Sequence, residues 1–142
     1  NVGCRYGRCV RNMWWLRFPF FWEGVENMYE YFSRQGVQVH ILMKDGLYRD
    51  RAGRCPGAEL AGQLVYVPCI DSERDTDDLG VMREACKRNC GYISNGNWRD
   101  WQERLARDRY HGEVDMLAWF RENGDKRRVA YYFDKHGALT PL

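Results

Sequence analysis

Asp77-Asp78-Leu79-Gly80-Val81-Met82-Arg83-Glu84-Ala85-Cys86, followed by Gly91-Tyr92-Ile93-Ser94-Asn95-Gly96-Asn97-Trp98-Arg99-Asp100, carries the pattern that decides the fold. It runs carboxylates, helix, strand, polar loop. Leu79, Met82 and Cys86 lie on one stripe of a helix predicted from about Thr76 to Asn89, ended by Gly91, and Tyr92 and Ile93 begin a strand. An acidic pair opening a helix and a strand running into an Asn-rich loop would gather oxygen ligands at one edge of a parallel sheet, where α/β proteins keep their chemistry.

The flanking sequence supports the same class. Val25, Met28, Tyr29 and Phe32 recur at helical spacing between Phe20 and Phe32, with Gly36 as C-terminal cap. Val37 to Met43 and Gln63 to Cys69 are continuous apolar runs of buried-strand type. Arg49 to Gly57 reads as a loop, Ala58 to Ala61 as a short helix, Trp101 to Arg109 and Val114 to Arg121 as helices, and Val129 to Phe133 as the last strand. Strands alternating with helices predict a mostly parallel sheet with helices on both faces. At 142 residues the chain suits a single domain over residues 1–142, burying roughly two thirds of its unfolded surface.

A hydrophobic content of 44% and a charged content of 30% exclude a compositionally disordered chain, and no apolar run approaches the roughly 20 residues that cross a bilayer. The net charge of +2 is too small to argue for nucleic acid, but its distribution is uneven. Arg5, Arg8, Arg11 and Arg17 crowd the N-terminal stretch among Tyr6, Trp14, Trp15 and Phe18, while acids concentrate from Asp71 to Asp78. Trp14, Trp15, Phe18, Phe20, Phe21 and Trp22 either plug the core or offer a stacking surface for bases or a partner chain.

Six cysteines stand at Cys4, Cys9, Cys55, Cys69, Cys86 and Cys90, none at CxxC spacing, and His40, His111 and His136 are scattered. The spacing favours reduced thiols, with Cys69 and Cys86 in the core and Cys4 and Cys9 flanking a Gly-Arg loop, over a structural zinc site. Ser72, Ser94 and the histidines form no nucleophile and base pattern, which argues against covalent catalysis.

Taken as residues alone, Asp77 and Asp78 are either hard ligands for a divalent cation or an N-cap and a complement to the helix dipole. Asp100 is a further carboxylate at the rim or a salt-bridge partner of Arg99 or Arg104. Asn95 and Asn97 are neutral oxygen ligands or turn residues beside Gly96.

These motifs resemble the NYN (PIN-like) ribonuclease domain of the Regnase family of CCCH-zinc-finger RNases. Asp77-Asp78 matches the acidic pair, Gly91 to Ile93 the strand, Ser94-Asn95-Gly96 the Ser-Asn-Asp, and Trp98-Arg99-Asp100 the aromatic-Arg-Asp; Gly96 stands where that family has Asp. Asn1-Val2 resembles the end of its Asp-Gly-x-Asn-Val motif, and Tyr132-Phe133-Asp134-Lys135 to Pro141-Leu142 its closing strand and proline-bearing turn. The likeness spans nearly the whole chain and implies a first catalytic Asp three residues before Asn1, on a strand this chain does not contain.

The resemblance implies a three-layer PIN-like (Rossmann-like) α/β fold and a metal-dependent endoribonuclease for single-stranded RNA, in mRNA decay or RNA silencing. Asp77, Asp78 and Asp100 would be catalytic, with Asp77 and Asp78 holding Mg²⁺ or Mn²⁺. Asn1, Arg5, Arg8, Arg11, Asn95, Asn97 and Arg99 would contact RNA, the arginines through their bidentate fork. A cytoplasmic protein, including RNA granules, is implied, as is a homo- or heterodimer with another NYN-type or silencing protein, without a membrane. Gly96 supports an alternative, a pseudonuclease that binds RNA or a partner. A structural module using the aromatic loop would leave the acids without a ligand.

Overall fold

Residues 2–44, 60, 63–67, 76–96, 98–107 and 114–142 are described by the computed structural model. They divide into two compact units, Asn1–Asp77 with Tyr132–Pro141, and Asp78–Tyr131 with Leu142. Among the described residues, strands pair two by two: β1 (Ile41–Lys44) with β2 (Leu64–Val67), β3 (Tyr92–Ile93) with β4 (Arg128–Val129), and β5 (Tyr131–Phe133) with β6 (Leu139–Pro141).

In the first unit the Cys4–Cys9 stretch, read above as a loop, belongs to helix α1 (Val2–Cys9). Two glycines in one short helix oppose helix formation by about 1 kcal/mol each relative to Ala, so tertiary packing must supply the difference. It does so on the Gly3 and Gly7 face, where the Pro19–Phe21 segment crosses. A Cβ on Gly7 would stand 1.8 Å from the Pro19 carbonyl oxygen, and the Phe21 amide donates to the Gly3 carbonyl at 3.2 Å. Tyr6 packs onto the α2 backbone at Gly24 and meets Phe133 edge-on, centroids 5.2 Å apart.

Helix α2 (Trp22–Ser33) buries Trp22, Val25 and Met28 at three-residue steps. It ends at Gly36, whose φ of 74° lets the Val37 amide reach the Phe32 carbonyl at 3.1 Å. Strand β1 begins only at Ile41, later than Val37, which is half exposed. It runs parallel to β2 in the register Ile41↔Leu64 to Lys44↔Val67. Trp22, Val25, Met43 and Leu60 form the buried cluster here. At the β5–β6 turn the Asp134 carboxylate accepts the amides of Ala138 and His136, which hold its pKa below the ordinary value. The predicted Arg49–Gly57 loop, Cys55, Cys69 and, apart from Leu60, the short helix over Ala58–Ala61 lie outside the described residues.

The second unit is built on α3 (Thr76–Arg88), α4 (Arg99–Leu105) and α5 (Val114–Arg127) around the parallel β3–β4 pair, in the register Tyr92↔Arg128 and Ile93↔Val129. Asn89, and not Gly91, terminates α3. At φ 47° it places its own amide on the Cys86 carbonyl and the Cys90 amide on that of Ala85, both at 3.1 Å. The Asn89 side-chain oxygen also accepts from the Trp119 indole at 3.0 Å, and its carbonyl from Arg127 at 2.9 Å, fastening the end of α3 to α5. The single strand predicted over Val129–Phe133 divides at Ala130 into β4 and β5, which take different partners.

Leu79, Met82, Ala85, Tyr92, Trp98, Trp101, Leu105, Met116 and Phe120 make the core of this unit, with Cys86 packed against it. Burial of a large apolar side chain contributes about 1.5–3 kcal/mol, so this cluster dominates the unit's stability. Among the described cysteines, Cys4, Cys9, Cys86 and Cys90 form no disulfide.

Tyr92 couples this core to pH. Its hydroxyl donates to the Gly124 carbonyl at 2.7 Å, and burial, with Asp125 assisting and Arg128 opposing, pushes its pKa from 10.0 up to about 12. The neutral form is favoured in the fold, so its contribution is complete below pH 10 and is lost as pH rises from about 10 through about 12. Spectrophotometric titration of tyrosinate should show a component ionising near pH 12 that is absent in Tyr92→Phe.

Candidate metal and RNA site

The loop that follows β3 is shaped by Trp98. That residue adopts φ 49° and ψ 25° ahead of α4, a left-handed conformation that costs a bulky residue roughly 1–3 kcal/mol. Stacking holds it there: the Trp98 ring lies 4.8 Å from Tyr92 and 5.7 Å from Phe120, with interplanar angles of 22° and 30°. Such aromatic pairs contribute about 0.5–1.5 kcal/mol beyond their area burial, enough together with that burial to hold the strained backbone.

With its far end pinned, the loop is laced to the last strands. The Ser94 amide donates to the Val129 carbonyl at 3.1 Å and the Gly96 amide to Ser94 Oγ at 3.1 Å. Asn95 Oδ1 accepts the Tyr131 amide at 3.0 Å, and Arg128 donates to the Gly96 carbonyl at 3.1 Å. Asn95 is thus a structural clamp.

Gly96 fits this arrangement sterically. A Cβ there would lie 2.9 Å from Cδ1 and from Nε1 of Trp98, so the ring fills the space an Asp side chain would need. The glycine at position 96 and the stacking of Trp98 are one structural feature.

Helix α3 returns to β3 through the short Asn89–Gly91 connection. Asp78 is half-buried and adjoins the buried Leu79; Asp100 is exposed in the first turn of α4, between the buried Trp98 and Trp101. Leu79, Trp98 and Trp101, neighbours in sequence of Asp78 and Asp100, belong to one core cluster. Asp77 and Arg99 are placed as helical residues, whereas Asn1 and Asn97 lie outside the described residues.

Arg5, Arg8 and Arg11 belong to the first unit. Arg5 is exposed on α1, Arg8 donates to the Arg17 carbonyl at 3.5 Å, and Arg11 pairs with Glu23. Arg128 and Trp98 were not singled out from sequence as determinants of the loop; the Arg127-Arg128 pair opening the last strand was the available signal for Arg128.

Carboxylates with amide and hydroxyl oxygens are a donor set suited to a hard divalent cation such as Mg²⁺, which keeps several of its own waters. Among the described residues, no group of three His, Cys, Asp or Glu is arranged to hold a metal ion. Also among the described residues, no helix is long and apolar enough to cross a membrane.

Compared with known proteins, the chain matches no family model and no curated sequence.

The contact between position 96 and Trp98 is measurable as a coupling. Gly96→Asp should destabilise the protein by about 1–3 kcal/mol through overpacking. Combined with Trp98→Ala it should cost less than the two single losses added, by about 0.5–3 kcal/mol in urea denaturation. Strict additivity would show that the ring does not restrict position 96.

Proposed function

We propose that the chain is an NYN/PIN-like α/β domain acting as a metal-dependent endoribonuclease on single-stranded RNA. What supports the reading is the order of elements in the second unit: Asp78 in the first turn of α3, the Asn95 loop at the carboxyl end of parallel β3, and Asp100 in the first turn of α4. Carboxyl ends of parallel strands are where this class of sheet binds ligands.

Asp77 and Asp78 would hold the cation, with water completing its shell. Mg²⁺ or Mn²⁺, when bound, supplies positive charge to the phosphodiester and makes water more acidic. Asp100, exposed at the rim, orients the attacking water by accepting its hydrogen bond, and its carboxylate can take the proton released. Asn95 and Arg128 keep the loop in register for that contact through their bonds to Tyr131 and Gly96. Arg5, Arg8, Arg11 and Arg99, with Asn1 and Asn97, serve RNA phosphates and sugars. In this reading the protein works in cytoplasmic mRNA decay or RNA silencing, including RNA granules, and pairs with itself or another NYN-type or silencing protein.

The Gly96–Trp98 contact favours one second reading, a domain that binds RNA or a nuclease partner without cleaving. A missing carboxylate leaves the cation less neutralised and more weakly held.

Labelled single-stranded RNA incubated with the protein and Mn²⁺ or Mg²⁺ separates the two. The nuclease predicts metal-dependent cleavage, reduced more than about tenfold by Asp78→Asn. RNA bound but uncut by both proteins would establish the non-cleaving reading.

A further inference from the structure

The aromatic segment from Asn12 to Trp22 divides into two parts with different environments. Pro19 is fully buried, Trp22 is in the core, and Phe20 packs against that core and meets Trp22 edge-on at 5.1 Å. Trp14, Trp15 and Phe18, in contrast, are 62%, 73% and 50% exposed. Three large aromatic side chains in water within five positions forgo several kcal/mol of burial at about 1.5–3 kcal/mol each. The same segment shows that aromatics can be buried here, so their exposure is not for want of a core.

The exposed part is held in place. The Met13 amide donates to the Gly7 carbonyl at 3.0 Å and the Leu16 amide to the Met13 carbonyl at 3.4 Å, tying the loop to α1 and to itself. Pro19 and Phe21 clamp its far end on the Gly3 and Gly7 face. A loop fixed at both ends loses little further conformational entropy when it binds.

Its charge selects the ligand. No acidic residue precedes Glu23, whereas Arg5, Arg8, Arg11 and Arg17 are interleaved with the aromatics. Arg17 lies over the Phe18 ring, 5.5 Å from its centroid, and Arg8 donates to the Arg17 carbonyl, so cations and exposed rings share one surface. Exposed π faces alternating with guanidinium groups match a strand of unpaired bases on a phosphate backbone. A duplex hides its base faces and would engage only the arginines. An apolar protein partner would gain nothing from the uncompensated positive charge.

We propose that Trp14, Trp15 and Phe18 form a stacking platform for the unpaired bases of single-stranded RNA, with Arg5, Arg8 and Arg17 following its phosphates. This rests on RNA being the ligand, as in the ribonuclease reading, but requires no metal and no cleavage.

The test measures binding of an unstructured oligoadenylate and of a blunt RNA duplex to the intact protein in EDTA, by tryptophan fluorescence and anisotropy. Oligoadenylate should quench the fluorescence and bind well above the duplex. Trp14→Ala, Trp15→Ala and Phe18→Ala should each weaken oligoadenylate binding about tenfold, leaving duplex binding and thermal stability unchanged. Unchanged oligoadenylate affinity in all three variants overturns the platform, even if magnesium-dependent cleavage is observed. Loss of self-association or of binding to anionic vesicles, with RNA affinity intact, also overturns it and reassigns the surface. Stacking-dependent binding without cleavage under Mg²⁺ supports the platform and removes the nuclease reading alone.

Discussion

The stack of Trp98 between Tyr92 and Phe120 is the contact on which the second unit's geometry depends. Three side chains from β3, the following loop and α5 meet in it, and it offsets the left-handed backbone at Trp98. Because Trp98 is fixed, Ser94 to Gly96 must turn back toward β4 and β5, where Val129, Tyr131 and Arg128 bond to the loop. The same ring closes position 96 to a side chain. One packing event therefore shapes the loop between β3 and α4.

The first unit is governed by a different close contact. Gly3 and Gly7 present bare helix backbone to the Pro19–Phe21 segment, so α1 and that segment stabilise one another. Trp22, just after this crossing, enters the core, whereas Trp14, Trp15 and Phe18, before it, remain outside. A chain usually surrounds its aromatics with apolar partners; here Trp14 and Trp15 stay exposed.

The features legible in the sequence were those that depend on local periodicity. The stripes Val25–Met28–Tyr29–Phe32 and Leu79–Met82–Cys86 mark α2 and α3, and Gly36 marks a helix end, because these signals need only one face and one cap. Helix α1 was hidden because its glycines become favourable only beneath Pro19. The break at Ala130 was hidden because Val129 to Phe133 reads as one apolar run, and only the change of pairing partner divides it. At the candidate site, Asp78 and Asp100 could be singled out by motif, and Asn95 could be read as ligand or turn. Its bond to the Tyr131 amide spans 36 residues of sequence, beyond the reach of any local pattern. The consequence of Gly96 was likewise invisible until the Trp98 ring was seen beside it.

The central proposal is that Asp78, Asn95 and Asp100 come together to hold a divalent cation. Paramagnetic broadening of backbone amide NMR signals by substoichiometric Mn²⁺ tests it most directly, without requiring turnover. Broadening centred on the first turn of α3, the Ser94–Gly96 loop and the first turn of α4, abolished by Asp78→Asn and competed by Mg²⁺, is the predicted result. Broadening centred elsewhere, or persisting unchanged in Asp78→Asn, would contradict the account.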